Sequence, residues 1–367
     1  MIDNGISYIG NRLKIGIYGA SHAEKIGVKI EGFPKGITLD FDKIAVQMAR
    51  RAPGDINFST ARKEPDIPQI ISGVTDCVTD GGTIEAVIYN TNQHSKDYSA
   101  LQFTPRPGHA DYTAYEKFGG ELDMRGGGKF SGRLTAPYVF AGALCRQVLE
   151  SMGIIIAAHV SAIYDVTDDS FDTVNPDIEL MKKLNTMIFP VINRQKKEQM
   201  LKAIDTAKRE LDSIGGTVEC MAVGLPIGLG DSLFDGVEGK LAPYLFGIPA
   251  VKGVQFGCGF NAATMHGSQH NDPFIMNDGK IKTETNNCGG ILGGITNGMP
   301  LVFTVAFKPT PSIAREQRTV DLQAKCNTTL CIKGRHDPCV VPRGAAVVEA
   351  AAAVGLLDLM MENGKIC

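Results

Sequence analysis

Leu13, Ile15 and Ile17 alternate with polar or small neighbours, which predicts a half-buried strand that stops at Gly19 and leaves Ser21 and His22 in the turn beyond it. The stretch from Phe41 to Arg51 predicts a helix capped by Asp40 and terminated by Pro53-Gly54, with Arg50 and Arg51 in the last turn, where the helix dipole favours cations. Residues 195 to 214 place Met200, Ile204, Ala207, Leu211 and Ile214 on one face, ahead of Gly215-Gly216. Residues 136 to 152 and 345 to 361 are helical in pattern but apolar around their circumference, so helices buried between sheets are expected. The run from Cys288 to Phe307 carries too many glycines for a membrane helix and reads as a glycine-rich loop feeding a buried strand. GFPKGI at 32 to 37 and GLPIGL at 224 to 229 echo one another, each after an alternating strand and before a helix, as an internal duplication would produce. The charged stretch around residues 165 to 200 reads as a surface excursion; no linker divides the chain, and one α+β domain over 1–367 is expected.

Composition narrows the partners. A net charge of -3, from 37 Lys and Arg against 40 Asp and Glu, offers no field to recruit nucleic acid. The N-terminal stretch lacks a basic segment followed by an apolar one, and the nine cysteines are scattered without a C-x-x-C pair, which predicts reduced thiols in a cytoplasmic protein with no membrane partner. His266 and His270 have metal-ligand spacing only on a helix, and Gly267 and Ser268 argue against one, so no metal site is expected.

Chemistry concentrates in a few segments. In KGRHDPCVVPRG at 333 to 344, an extended backbone would put Arg335 and Asp337 on one side and His336 on the other. The pair reads either as a structural ion pair or as an anion site with a proton-transfer group beside it. YGASHAEKIG at 18 to 27, RPGHADY at 106 to 112, RGGGKFSGR at 125 to 133 and GGILGGITNG at 289 to 298 fit neither the P-loop nor the G-x-G-x-x-G pattern. Their glycines, with interleaved cations and hydroxyls, nevertheless suit close approach of backbone to an anion.

Together these segments resemble the chorismate synthases nearly end to end. The family's Gly-Glu-Ser-His-Gly signature stands as GASHA at 19 to 23, its R-R-x-P-G segment as RRAPG at 50 to 54, and its R-P-G-H-A-D-Y segment unchanged at 106 to 112. GGILGGITNG, KPTPSI at 308 to 313 and GRHDPCVVPR at 334 to 343 follow in family order. Ala20 and Leu134 replace family carboxylates, Tyr138 and Lys129 replace arginines, and Pro311 replaces a serine.

The resemblance implies long helices between two antiparallel sheets, a homotetramer, and a 1,4-elimination of phosphate from 5-enolpyruvylshikimate 3-phosphate that needs reduced FMN without net redox change. It assigns His22 to protonating the departing phosphate, His109 to stabilising the anionic reduced flavin, and Asp337 to taking the proton lost from substrate C6, near flavin N5. Arg51, Arg133 and Arg335 are the implied substrate cations, and Lys129, Ser131, Ala250, Gly293, Lys308, Thr310, Ser312 and Arg335 the implied flavin contacts. The family is associated with NADP, yet no dinucleotide loop is present, so an external source of reduced flavin is expected. The alternative is a non-catalytic or altered-substrate paralogue that binds flavin or a phosphorylated ring acid, motivated by Ala20, Leu134 and Tyr138.

Overall fold

The computed structural model describes residues 6–54, 66–90, 103–332 and 337–366. In chain order the main elements are β1 (Lys14–Gly19), β2 (Lys25–Glu31), α1 (Phe41–Arg51), β3 (Gln69–Ser72), β4 (Ile84–Tyr89), α2 (Asp111–Phe118), α3 (Thr135–Ser151), β5 (Ile155–Ile163), α4 (Arg194–Arg209), β6 (Gly216–Val223), α5 (Val237–Phe246), β7 (Val251–Phe256), β8 (Leu301–Phe307) and α6 (Val341–Glu362). Two antiparallel sheets run β1-β2-β4-β3 and β5-β6-β8-β7, with the short strands Ser7–Ile9 and Val166–Thr167 added at the β1 and β5 edges.

The two halves repeat one plan: two antiparallel strands, a helix, two further strands that join in the same order, then a long buried helix. The echoed motifs occupy equivalent turns, after β2 and after β6, and in both the glycines hold the left-handed backbone a turn requires: φ is 78° and 80° at Gly32 and Gly36, 83° and 92° at Gly224 and Gly228.

Strand alternation decides which side chains enter the core. Leu13, Ile15, Ile26, Val28, Ile30, Ile84 and Ala86 of the first sheet face Ile156, Ala158, Val160, Val218, Cys220, Leu301, Phe303 and Val305 of the second across one core filled by α3 and α6. Each fully buried aliphatic contributes roughly 1.5–3 kcal/mol. By length and composition α6 could cross a membrane, but it is buried on nearly every side as the core helix of the sandwich. Residues 165 to 193 are more than a surface excursion: Phe171, Met181 and Leu184 cover Ala157, Met221 and Val302 on the outer face of the second sheet as a second core. There His159, fully buried, meets Asp168 at 3.0 Å and Glu219 at 2.8 Å.

A buried ionic cluster ties the layers. Glu349 on α6 receives the Arg50 fork at 2.5 and 2.9 Å, Arg146 of α3 at 3.0 Å and the Ala158 N–H at 2.9 Å. Burial alone would raise Glu349, but the two arginines hold it below the usual carboxylate range. Asp358 likewise accepts from the backbone N–H groups of Asn11, Arg12 and Leu13 and from the Tyr244 hydroxyl at 2.7–2.9 Å, pinning the start of β1 to α6.

Two local readings change. The helix expected over 195 to 214 stops at Arg209: Leu211 turns left-handed at φ 59°, and its carbonyl accepts from Ala314 and Arg315 at 3.1 Å. Gly267–His270 does form one helical turn, closed by the Gln269 side chain accepting from the His266 N–H at 3.0 Å. Among the described residues no three His, Cys, Asp or Glu side chains gather as metal ligands.

Candidate active site

A cavity of about 600 Å³ opens where the C-terminal end of α1, the loop before α3, the loop after β8 and the start of α6 converge. Its polar end is built by adjacent residues with different fates. Arg50 and Arg51 are successive in the last turn of α1, roughly 100° apart around the helix axis; Arg50 enters the Glu349 cluster, while Arg51 points into the cavity. There Arg51 pairs with the buried Asp66 and donates to Thr135 Oγ1 at 3.0 Å and to the Gly132 carbonyl at 2.8 Å. Arg133 takes the other Asp66 oxygen and donates to Asn90 Oδ1 at 3.0 Å.

Burial pushes the Arg51 guanidinium down to about 10, against the pull of Asp66 and helped by Arg343 and Arg133. It stays protonated at neutral pH. Burial would raise Asp66, but the two guanidiniums hold it below its ordinary range. Arg343, in the first turn of α6, pairs with Asp337. Three guanidiniums therefore face two carboxylates, and the cluster carries one positive charge in excess among the described residues. Arg335 and His336, and with them the pairing expected between Arg335 and Asp337, lie outside the described residues; among the described residues Asp337 pairs with Arg343.

The opposite wall comes from RPGHADY and the loop after β8. Arg106 grips Asp111 bidentately at 2.6 and 2.7 Å, and His109 Nδ1 lies 2.7 Å from Asp111 Oδ1. Lys308 Nζ donates to the Gly108 carbonyl, and burial followed by the nearby Lys252 lowers its pKa. The Thr310 hydroxyl donates to the Asp337 carbonyl at 2.7 Å, and Arg106 donates to Ser312 Oγ at 3.2 Å. Ser131 Oγ accepts from the Arg133 N–H at 3.2 Å, Lys129 Nζ sits 4.1 Å from the Phe118 ring centroid, and Ala250 adopts φ 74°.

His22 stands behind the RGGGK loop, outside the cavity lining. A side chain at Gly126, which lines the cavity, would come within 2.6 Å of the His22 ring, so the RGGGK loop closes over the histidine only because the residue there is glycine. Asn90 links the two, donating to the Ala23 carbonyl at 2.7 Å while accepting from Arg133. Gly293 sits in a separate hairpin, between Ile291–Leu292 and Ile295–Thr296, and does not line the cavity.

The family profile for chorismate synthase matches residues 13–361. The chain belongs to the chorismate synthase family. It is 43% identical over 358 residues to the chorismate synthase of Dehalococcoides mccartyi, covering 98% of this chain and 97% of that protein. It is 45% identical over 354 residues to that of Thermococcus gammatolerans, covering 96% and 97%. A crystal structure of chorismate synthase superposes with a TM-score of 0.76 at 28% identity, covering 97% of this chain and 93% of that one. The expected β-α-β sandwich of the chorismate synthases is thus the fold observed.

Of the implied chorismate synthase site residues, Arg51, His109, Lys129, Ser131 and Arg133 line the cavity together with Ala250, Lys308, Thr310, Ser312 and Asp337. The departures Ala20, Leu134 and Tyr138 do not. Tyr138, which stands where the family has an arginine, is buried in α3 and donates to the Tyr244 carbonyl at 3.2 Å, away from the cavity lining. Arg106, Asp66, Asp111 and Arg343 were not singled out from sequence. Arg106, Asp111 and Arg343 lie inside quoted motifs, whereas Asp66 carried no signal because its partners are remote in the chain.

Proposed function

We propose that this protein is a chorismate synthase acting on 5-enolpyruvylshikimate 3-phosphate with reduced FMN, eliminating phosphate and a ring proton without net redox change. The observation that carries the reading is one cavity holding ten of the thirteen site residues that the resemblance implies, inside a chain that matches the family over residues 13–361. The residues suit FMN. A wall of Ile248, Pro249, Val251 and Val347 offers an apolar face, Lys308 and Lys252 offer cations, and the glycine-rich loop lets backbone approach closely.

Arg51, Arg133 and Arg343 would hold the substrate's anionic groups and stabilise the charge that develops as phosphate leaves, without reorganising in the transition state. His22 would supply the proton to the departing phosphate from behind the Gly126 turn. Asp337, kept next to Arg343, would accept the proton released at C6, and His109, fixed by Asp111, would hold a proton against the negative charge of the flavin. When bound, reduced FMN supplies an electron-rich ring that assists the elimination and is restored at its end.

The single domain over 1–367, cytoplasmic location and external supply of reduced flavin follow from the same reading. A homotetramer is what the family resemblance implies, and exposed Leu233, Phe234, Phe260, Phe274 and Met276 offer apolar side chains for subunit contact. The test is anaerobic incubation of the purified protein with 5-enolpyruvylshikimate 3-phosphate and chemically reduced FMN. Equal release of chorismate and phosphate is expected; bound flavin with neither product would favour the non-catalytic paralogue.

A further inference from the structure

RPGHADY contains more than a histidine in a turn. His109 Nδ1 has two close neighbours, Asp111 Oδ1 at 2.7 Å and Arg106 Nη2 at 3.1 Å. A guanidinium only donates, so it cannot take a proton from Nδ1. Asp111, bound by the Arg106 fork through both oxygens, stays ionised and only accepts. A bare Nδ1 would set a lone pair against a carboxylate oxygen at 2.7 Å. The proton is therefore on Nδ1, and Nε2 is left as the nitrogen that gains or loses a proton. Nε2 faces Gly127, at which a Cβ would come within 3.2 Å, so the ring fills the space a side chain there would take.

We propose that Asp111 is a positioning residue: it fixes His109 as the Nδ1–H tautomer and aims Nε2 at the glycine-rich wall of the cavity. Arg106 completes the device. Its fork compensates the Asp111 charge, so the carboxylate chiefly sets tautomer and ring angle, and its remaining nitrogen reaches Ser312 Oγ at 3.2 Å, tying the orientation of His109 to the loop after β8. What this orientation serves rests on the flavin role of His109 proposed above; the tautomer itself does not.

The test uses the full-length protein labelled with 15N-histidine, without flavin, its His109 signal assigned as the one lost in His109→Gln. Long-range 1H–15N correlations at a pH where the ring is neutral should show Nδ1 protonated and Nε2 bare. Asp111→Asn should move the signal to the Nε2–H form and lower kcat by about 10²-fold with KM within about threefold, and Asp111→Glu should restore part of both. An Nε2–H signature in the unmodified protein would overturn the proposal whether or not the variants fold. An Nδ1–H signature in a protein that makes no chorismate would leave the positioning role standing and defeat only the reaction assignment.

Discussion

Asp66→Asn removes the one charge shared by Arg51 and Arg133 while leaving an amide oxygen in its place. All three side chains are buried, and breaking a buried ion pair typically costs about 3–5 kcal/mol. The retained acceptor and access to the cavity argue for the lower side, so a loss of about 2–4 kcal/mol is expected. Anion binding should change in the opposite sense. A phosphate held by the two forks no longer meets a negative charge behind them; for a separation on the order of 8 Å and an effective dielectric constant of about 20, the difference is about 2 kcal/mol per unit of phosphate charge. Screening by water in the cavity reduces this to roughly a tenfold tightening. Calorimetric titration with inorganic phosphate and thermal melts with and without phosphate measure both. The variant should melt lower in phosphate-free buffer, bind phosphate more tightly, and gain more melting temperature from it than the unmodified protein does. Phosphate binding weakened by Asp66→Asn, or an unchanged melt without phosphate, would refute the view of Asp66 as the internal counter-charge of Arg51 and Arg133.

Tyr138→Arg should lower the melting temperature sharply and leave substrate affinity unimproved, because position 138 is buried beneath Tyr244; tighter binding at low salt would show that the side chain reaches the cavity. Asp337→Asn should reduce turnover about 10²-fold or more with FMN affinity nearly unchanged, whereas loss of flavin binding at constant turnover per loaded enzyme would make the carboxylate structural. Burial works to lower the His159 pKa, but hydrogen bonds to Asp168 and Glu219 outweigh it and the net shift is upward. Its stabilisation is therefore complete below the unfolded value of about 6.5 and is lost as pH rises through the folded value, so His159→Gln should flatten the decline in melting temperature above about pH 6.5; an unaltered slope would contradict this.

The elements most readily read from sequence were those whose signal is local. The bounds of α1, its Asp40 cap and the entirely apolar character of α3 and α6 follow from side-chain pattern and cap chemistry alone. The end of α4 was missed because Gly215 does not terminate it. A Cβ there would lie 2.3 Å from the Phe307 carbonyl, so the glycine serves the approach of β6 to β8, and a left-handed Leu211 ends the helix instead. The site divides in the same way. RPGHADY could be read as a unit because Arg106, His109 and Asp111 interact within a few residues. The Asp66 bridge could not, since it joins residues 15 and 67 positions apart in a buried site, and no spacing rule links them. Arg50 and Arg51 show the limit most plainly, since only the packing around α1 determines which of the two enters the core and which enters the cavity.

The proposed reaction is an elimination in which the cofactor's electrons are returned before product leaves. Its most direct test is the number of chorismates formed per initial reduced FMN under strict anaerobiosis, with flavin absorbance followed in the same cuvette. Many turnovers per flavin are expected, with the reduced spectrum recovered at the end and activity lost on admission of oxygen. One chorismate per FMN, with stoichiometric oxidation of the flavin, would contradict the account and make the protein an oxidoreductase on this scaffold.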